Sequence, residues 1–411
     1  MKRSVTAVLT ALVLLLLIPA CTASPGTDAL TEGMLTGVPG TPDGGSDAPA
    51  ATDAANTTEA TTAEPTTLPP DPVREALEKL TLAEKVGQLF IIRPDSVRGG
   101  DPLVVTPDMR ASFKSYCPGG FILMGASVGD PEQLKTLTAA LSDIPSVPPI
   151  LAIDEEGGTV ARIGNADADF GVPKFPSMGA VGDTGDPDEA WKAGKAIGAY
   201  LKDYGFTLDF APVADVNSNP ANPVIGRRAF SSDPYETAVM VEMFIDGLHE
   251  SGVKSCIKHF PGHGDTYGDT HKGFVLLDKS REELEATELI PFRENVSHTD
   301  TVMIAHVALP QLTGDETPAT LSKTVVTDLL RGELGFDGVV ITDALEMGAI
   351  TDSYGAGEAA VLAFEAGCDL LLLPADFPAA YAAVLNALET GRIPVSRLDE
   401  SVARILKLKG Y

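Results

Sequence analysis

The chain has 411 residues, of which 44% are hydrophobic and 21% are charged, a composition typical of a folded, enzyme-sized protein with a large core. Its net charge of −28 argues against nucleic acid as a partner, because binding to phosphates requires the opposite sign. Outside the N-terminal region only Cys117, Cys256 and Cys368 remain, which excludes a disulfide framework as the basis of the fold.

The first 21 residues have the pattern of a bacterial lipoprotein signal peptide. Lys2 and Arg3 precede an apolar run at 11–18 that is too short to span a bilayer comfortably. Ala20 and Cys21 follow it and resemble a lipobox, in which the cysteine is lipidated and becomes the mature N-terminus. We therefore predict an extracytoplasmic protein of a bacterium, anchored to the membrane through a lipid on Cys21. An ordinary secreted protein is the alternative.

Residues 22–73 are predicted to be a disordered acidic linker. They consist largely of Thr, Ala, Pro, Gly and Asp, with eight acidic residues and no Lys or Arg. Such a composition buries too little apolar surface to fold, and its like charges keep the chain extended. We expect this segment to hold a folded domain, residues 74–411, away from the cell envelope.

Eight short apolar runs follow a helical stretch at 73–85, and each run precedes a longer amphipathic segment. Continuous Val, Ile and Leu without polar alternation indicates strands covered on both faces, and helix-length spacing indicates parallel βα units. Eight such units predict an α/β fold with a single (β/α)₈ TIM-type barrel, and a doubly wound open sheet is the alternative. The predicted strands are 86–93, 120–124, 150–153, 207–213, 253–257, 301–304, 338–342 and 368–373.

Polar residues come directly after five of these runs. In a barrel the strand ends converge on one mouth, where active sites of this fold are built. Any one charged residue at a strand end is explained by a solvated loop, but five groups together indicate a catalytic pocket. These residues are Asp154, Asp215, Lys258, His259, His306 and Asp343.

The stretch "KHFPGHGDTYGDTH" at 258–271 concentrates potential ligands and proton carriers in a loop that its proline and glycines prevent from being helical. A metal site is one interpretation, but the HxH and HExxH spacings are absent. A second is loop capping through hydrogen bonds to the backbone, which suits His263 and Asp265 best. The third is proton transfer, because Asp269 is placed to orient the imidazole of His271. The partner that such a group needs is a nucleophile or a second carboxylate, and Asp343 is the best placed.

This stretch and "ITDALEMGAI" at 341–350 resemble glycoside hydrolase family 3, and within it the β-N-acetylglucosaminidase (β-N-acetylhexosaminidase) branch. Three further motifs carry the resemblance, which runs from about residue 78 to 410: "TLAEKVGQLF" at 81–90, "AIDEEGGTVARI" at 152–163 and "IGRRAFSSDP" at 225–234. The family's catalytic domain is a (β/α)₈ barrel, which agrees with the pattern of strands.

The resemblance implies a retaining hydrolase that works by double displacement. Asp343 would be the nucleophile, and His271 the general acid/base with Asp269 as its dyad partner. The sugar hydroxyls and the N-acetyl group would be held by Asp154, Arg162, Arg228, Lys258 and His259. The expected substrate is a carbohydrate with terminal β-linked N-acetylglucosamine, such as a muropeptide. No cofactor or metal is expected, and nothing in the sequence requires more than a monomer.

Three other functions stay open. Retaining glycosidases normally pair two carboxyl groups, and a neutral histidine in place of one would tolerate an incoming phosphate, so a β-N-acetylglucosaminide phosphorylase is the nearest alternative. A β-glucosidase of the same family is the second. The third is a lipoprotein that binds sugars without catalysis, although sugar binding alone does not require Asp269, His271 and Asp343 together.

Overall fold

The structure, a computed structural model, describes residues 71–144 and 147–411. The predicted signal peptide, Cys21 and nearly all of the predicted linker lie outside the described residues. The first helix begins at Pro72, two residues before the predicted start of the folded domain, and the Asp71 side chain caps it. Within the described ranges no helix is both long enough and apolar enough to cross a membrane.

Asp-Pro pairs begin many of the helices. At Asp71, Asp130, Asp186 and Asp233 the carboxylate accepts hydrogen bonds from the first turn, and the following proline occupies a position where no amide hydrogen is needed. The α-helices are α1 Pro72–Lys79, α2 Leu82–Gln88, α3 Pro107–Tyr116, α4 Pro131–Ser142, α5 Met178–Gly182, α6 Pro187–Asp203, α7 Pro234–Glu250, α8 Arg281–Ala286, α9 Leu289–Asn295, α10 Pro310–Thr313, α11 Gly348–Thr351, α12 Ala356–Ala366, α13 Phe377–Glu389 and α14 Val395–Leu408, and Thr324–Glu333 is a π-helix.

The strands form parallel sheets together with one small antiparallel hairpin. Their bounds are β1 Phe90–Ile92, β2 Gly120–Ile122, β3 Ile150–Ile153, β4 Glu155–Gly157, β5 Val160–Ala161, β6 Leu208–Asp209, β7 Cys256–Phe260, β8 Val275–Leu276, β9 Thr301–Ile304, β10 Val307–Ala308, β11 Val339–Thr342 and β12 Leu371–Leu372. One sheet has the order β12-β1-β2-β3-β6 and another the order β11-β9-β7. β8 pairs with β10 in parallel, and β4 with β5 antiparallel.

Single parallel bridges link the two larger sheets at both of their edges. Leu208 in β6 is bridged to Lys254 just before β7, and Val213 to Lys258 within β7. On the other side Ile341 in β11 is bridged to Leu370, which directly precedes β12. The fold is therefore a mixed α/β domain in which parallel strands alternate with helices.

All eight predicted strand positions coincide with a strand of these two sheets, but some boundaries were wrong. Residues 86–88 belong to helix α2 and not to the first strand, because Thr81 and Glu84 form a capping box that starts a helix there. The helical stretch predicted at 73–85 is divided into α1 and α2. Lys258 and His259 lie within β7 and not after it, so the fifth strand is longer at its carboxyl end than predicted.

The core lies between the strands and the surrounding helices, and its uppermost residues form the floor of the functional site. The strands of the two larger sheets are buried along their whole length. Ile122 of β2, Met303 of β9 and Leu372 of β12 belong to this core and also line a cavity at the strand ends. The cavity is thus bounded below by apolar side chains and at its sides by the loops after the strands.

Candidate active site

A cavity of about 250 Å³ opens at the carboxyl ends of the parallel strands. It brings together seven of the eight site residues predicted from the sequence, and these are Asp154, Arg162, Arg228, Lys258, His259, His271 and Asp343. The eighth, Asp269, does not line the cavity but contacts His271. Residues from five different parts of the chain therefore meet around one space of roughly the size that a small ligand needs.

Lys258 occupies the centre of one wall and bridges two carboxylates. Its Nζ donates to Asp154 Oδ1 at 2.8 Å and to Glu156 Oε1 at 2.6 Å. Burial alone would lower the pKa of Lys258, but the two carboxylates raise it above its usual value. Burial likewise raises the pKa of Asp154, and the charges of Lys258 and Arg162 outweigh this and leave the pKa below its usual value. Lys258 and Asp154 are therefore both charged at neutral pH.

Glu156 is a site residue that the sequence analysis missed. Its side chain is only 1% exposed, and Arg228 grips both of its oxygens, with Nε 2.8 Å from Oε2 and Nη2 2.7 Å from Oε1. Burial opposes its ionisation, but Arg228 and Lys258 hold the pKa of Glu156 well below its usual value. The sequence feature that could have indicated it is the pair of consecutive glutamates after β3, of which only the second lines the cavity.

The neighbouring Glu155 holds the loop that presents Asp154, Glu156 and Arg162. It is fully buried, and its carboxylate accepts the backbone N–H groups of Ile163 at 2.9 Å and Gly164 at 2.8 Å. The hydroxyl of Tyr200 also donates to it at 2.8 Å. Because the hairpin of β4 and β5 is closed in this way, Arg162 returns to the cavity and donates to Asp154 Oδ2 at 3.1 Å.

Asp215 orients His259 from behind. Its Oδ2 lies 2.6 Å from His259 Nδ1, and its Oδ1 accepts the backbone N–H of His263 at 2.7 Å. Since Nδ1–H donates to this carboxylate, Nε2 of His259 is left to accept from Arg228 Nη2 at 3.5 Å and to face the cavity. His263, which the sequence suggested as a loop cap, also lines the cavity, and its Nδ1 lies 2.9 Å from Thr266 Oγ1.

Asp343 lies directly after β11, at the base of the cavity. The backbone N–H of Ala344 donates to its Oδ1 at 2.7 Å. Burial raises the pKa of Asp343, but the nearby His306 and His259 and the Ala344 hydrogen bond more than offset this, so the pKa lies below its usual value. A carboxylate that is ionised, half-buried and open to a cavity is suited to act as a nucleophile.

His306, also at a strand end, supports this segment from beneath and does not line the cavity. The ring is buried, and this burial lowers its pKa below the usual value. Its Nε2 donates to the carbonyl oxygen of Ala344 at 2.9 Å, and its Nδ1 lies 2.8 Å from Thr320 Oγ1. His306 therefore fixes the backbone next to Asp343 without reaching a ligand.

His271 reaches the cavity from the loop after β7. Asp269 Oδ1 accepts its backbone N–H at 3.0 Å and lies 3.0 Å from its Nδ1, as the dyad prediction requires. The loop rests on α11, since Ala349 N–H donates to the carbonyl of Thr270 at 3.1 Å. A Cβ at Gly348 would lie 3.1 Å from the His271 carbonyl oxygen, so the two segments are in close contact.

Asp265, the other suggested loop cap, lies away from the cavity and forms an ion pair with Lys279 at 3.2 Å. In the described part of the chain, no group of three or more His, Cys, Asp or Glu side chains is arranged to hold a metal ion. The three cysteines of the folded domain are buried and none of them lines the cavity.

The chain is similar to proteins named beta-hexosaminidase and to a solved beta-N-acetylglucosaminidase. Beta-hexosaminidase A of Pseudoalteromonas piscicida is 37% identical over 329 residues, which are 74% of this chain and 55% of the relative. Beta-hexosaminidase LpqI of Mycobacterium tuberculosis is 34% identical over 344 residues, 80% of this chain and 83% of the relative. A structure of a glycoside hydrolase family 3 beta-N-acetylglucosaminidase from Paenibacillus sp. str. FPU-7 superimposes with a TM-score of 0.75 at 42% identity, over 80% of this chain and 62% of that one.

This chain thus spans about half the length of the first relative and under two thirds of the Paenibacillus protein. Residues 81–408 match the family described as "Glycosyl hydrolase family 3 N terminal domain". That range contains every residue of the cavity. The chain belongs to glycosyl hydrolase family 3.

Proposed function

We propose that this protein is a retaining β-N-acetylglucosaminidase that removes terminal β-linked N-acetylglucosamine from glycans such as muropeptides. The observation that carries the proposal is that the carboxylate of Asp343 and the aspartate-bound imidazole of His271 open onto the same cavity. Relatives named beta-hexosaminidase and a neighbour named beta-N-acetylglucosaminidase support the same activity.

In the first step a carboxylate oxygen of Asp343 attacks the anomeric carbon and the glycosidic C–O bond breaks. His271 Nε2–H gives its proton to the departing oxygen, and Asp269 stabilises the imidazole in the required orientation. The product is a covalent glycosyl-enzyme. In the second step a water attacks the anomeric carbon, His271 takes its proton, and Asp343 leaves as a carboxylate.

Recognition of the sugar is assigned to the charged wall of the cavity. Asp154 and Glu156 accept hydrogen bonds from hydroxyls, whereas Arg162, Arg228 and Lys258 only donate. Cationic donors also suit the carbonyl oxygen of an acetamido group. Because each of these charges is already paired with another, they are held in place before the substrate arrives and little reorganisation is needed.

We further propose that the eight parallel strands form a closed (β/α)₈ barrel. The order β12-β1-β2-β3-β6-β7-β9-β11 returns to β12 when the single bridges between the sheets are included. In this arrangement Asp154, Lys258 and Asp343 all belong to one rim, as expected for a catalytic site of this fold.

We propose a lipid-anchored, extracytoplasmic monomer as the cellular form, and the N-terminal pattern supports the anchoring. Lipidation of Cys21 would attach the chain to the envelope, and the acidic segment 22–73 would act as a tether. Metabolic labelling with a fatty acid is expected to mark the wild type and not Cys21→Ser. Absence of the fatty-acid label from both the wild type and Cys21→Ser would favour a secreted protein without a lipid anchor.

Phosphorolysis is the second candidate, and it is favoured by one observation, the histidine in place of a second carboxylic acid. A neutral imidazole does not repel an incoming phosphate as a carboxylate would. The reaction is compared in a phosphate buffer and in a phosphate-free buffer of the same pH. Release of a sugar 1-phosphate in the phosphate buffer would identify a phosphorylase. Release of free N-acetylglucosamine in both buffers supports hydrolysis.

The test of the main proposal is a panel of p-nitrophenyl glycosides. We expect turnover of the N-acetyl-β-glucosaminide at a kcat/KM well above that of the β-glucoside. A preference for glucose would indicate the β-glucosidase branch. Binding of N-acetylglucosamine without turnover of any member of the panel would indicate a sugar-binding lipoprotein.

A further inference from the structure

The loop that carries His271 also carries a group of exposed apolar side chains that the proposed mechanism does not use. Tyr267 is 82% exposed, Phe274 50% and Leu276 42%. Tyr267 is four residues before the proposed acid/base and Phe274 three residues after it. Exposed large apolar side chains that cluster, and two of which are aromatic, indicate a contact surface for a ligand or partner.

These side chains border a groove of about 470 Å³, here called the outer groove, which is lined by Asp265, Tyr267, Gly268 and residues 274–278. Its volume lies in the range of small-ligand sites. The floor is rigid: Val275 and Leu277 are buried, and β8 is paired with β10 through Val275 and Val307. Gly268 approaches Val275 so closely that a Cβ there would lie 2.8 Å from it.

Carboxylates form the polar part of the outer groove. Asp265 is held by Lys279 at 3.2 Å and by the hydroxyl of Ser218 at 3.3 Å. Asp278 accepts from the side-chain amide of Gln311 at 2.8 Å. Aromatic faces combined with fixed carboxylates match a pyranose ring, whose C–H faces pack on π systems and whose hydroxyls donate to carboxylates.

The chemistry of the first step decides which part of the substrate lies here. A general acid must contact the glycosidic oxygen, so the leaving group must pass beside the loop that carries His271. The sugar that is cleaved off occupies the cavity of Asp154, Lys258 and Asp343. The next sugar in the chain therefore lies on the His271 side, next to the segment of chain to which Tyr267 and Phe274 belong.

We propose that Tyr267, Phe274 and Leu276 form a binding site for the leaving-group sugar, so that the enzyme prefers β-linked N-acetylglucosamine chains to simple glycosides. This assignment rests on the proposed function and adds the substrate class to it. Contact with aromatic rings gives affinity without a fixed pattern of hydrogen bonds, so a second and a third sugar of one chain can use the same surface.

The experiment compares two substrates that differ only in the second ring: the β-1,4-linked disaccharide of N-acetylglucosamine and methyl N-acetyl-β-glucosaminide. Release of N-acetylglucosamine is measured for the wild type, Tyr267→Ala, Phe274→Ala and the double variant. Each single variant is expected to lower the ratio of kcat/KM for disaccharide over methyl glycoside by about tenfold. Tyr267→Phe, which retains the ring, is expected to keep the wild-type ratio.

Tyr411→Ala is the matched control, because Tyr411 is also an exposed tyrosine but ends the chain after α14. An unchanged ratio in the double variant would overturn the proposal, whether the two rates stay the same or fall together. Binding affinity is a second measurement, and it does not depend on turnover. In an Asp343→Asn background, Tyr267→Ala must weaken binding of the trisaccharide and leave that of the monosaccharide unchanged. No turnover of either substrate by the wild type would instead contradict the proposed function.

Discussion

Asp269 Oδ1 meets both the backbone N–H and the Nδ1 of His271 at 3.0 Å, so one carboxylate oxygen fixes the position of the residue and the orientation of its ring. Burial raises the pKa of Asp269, but the hydrogen bonds from His271 and Lys272 outweigh it and keep the pKa below its usual value. The aspartate is therefore ionised over the range in which a histidine titrates, and Nε2 is the nitrogen available for proton transfer.

The first prediction concerns this dyad. His271→Ala is expected to lower kcat by about 10²–10⁴-fold for a disaccharide, whose leaving oxygen needs a proton. The loss should be far smaller in the first step for a 2,4-dinitrophenyl glycoside, which leaves without protonation. Burst kinetics on the two substrates separate the steps. An equal loss for both in the first step would remove His271 from the role of acid.

The second prediction concerns Asp343. Asp343→Ala is expected to lower kcat by on the order of 10⁴-fold or more, because no covalent intermediate can form. Added azide should restore part of the turnover by attacking the anomeric carbon directly, in a single displacement. The product is then the α-glycosyl azide, which NMR distinguishes from the β form. Formation of the β-azide, or of none with wild-type turnover, would contradict a nucleophilic role.

A third prediction uses two adjacent arginines. Arg228 is held by both oxygens of Glu156 within the cavity, whereas Arg227 pairs with Asp183 at the surface. Arg228→Lys loses the two-pronged contact and is expected to raise KM by roughly tenfold or more, since a lysine cannot reproduce the planar geometry. Arg227→Lys, the matched control, should keep wild-type kinetics. A wild-type KM in Arg228→Lys as well would contradict this prediction, because it would show that a positive charge is sufficient at position 228.

A fourth prediction concerns Asp209 in β6, which lies beneath the site. Its Oδ1 accepts the N–H of Glu155 at 2.9 Å, and its Oδ2 has no hydrogen-bond partner among the described residues. Burial, with smaller contributions from Glu155 and Asp154, raises the pKa of Asp209 well above its usual 3.8. The folded state thus holds a proton that the unfolded chain releases, and stability falls as pH rises from 3.8 towards the folded-state pKa.

Asp209→Asn removes this proton requirement and keeps an oxygen for the Glu155 N–H. The Tm of the variant relative to that of the wild type is therefore expected to increase as pH rises from about 4 to 8, as measured by calorimetry. All other ionisable groups are common to both proteins and cancel in the difference to first order. A Tm difference that is constant over this range would show that Asp209 ionises freely in the folded state.

The strand positions could be predicted because buried parallel strands are continuous apolar runs, as in 150–153 and 301–304, and this signal is local. The beginning of the first strand could not be predicted from hydrophobicity alone, because 86–88 are equally suited to a buried helix. The capping box of Thr81 and Glu84 decides between the two, and it was visible in the sequence.

The residues that meet around the cavity could be predicted where they stand at strand ends and match family motifs. The prediction was incomplete where a partner is distant in sequence. Glu156 meets Arg228 across 72 residues, and no spacing rule links them. Adjacent residues of an extended segment point to opposite sides, so Glu155 holds the loop while Glu156 faces the cavity. The sequence suggested only loop capping for His263, because its place beside the cavity depends on a distant residue, Asp215, which accepts its backbone N–H.

The contact between Gly348 and the His271 loop has a consequence for engineering. A methyl group at position 348 would have to displace the backbone of 271–273 by a few tenths of an ångström. Position 348 is five residues beyond Asp343, so the segment that carries the proposed nucleophile packs directly against the loop that carries His271. If the His271 loop were replaced by that of a relative, the relative's residue at position 348 would have to be transferred with it. Otherwise the imidazole of His271 would be displaced relative to the carboxylate of Asp343.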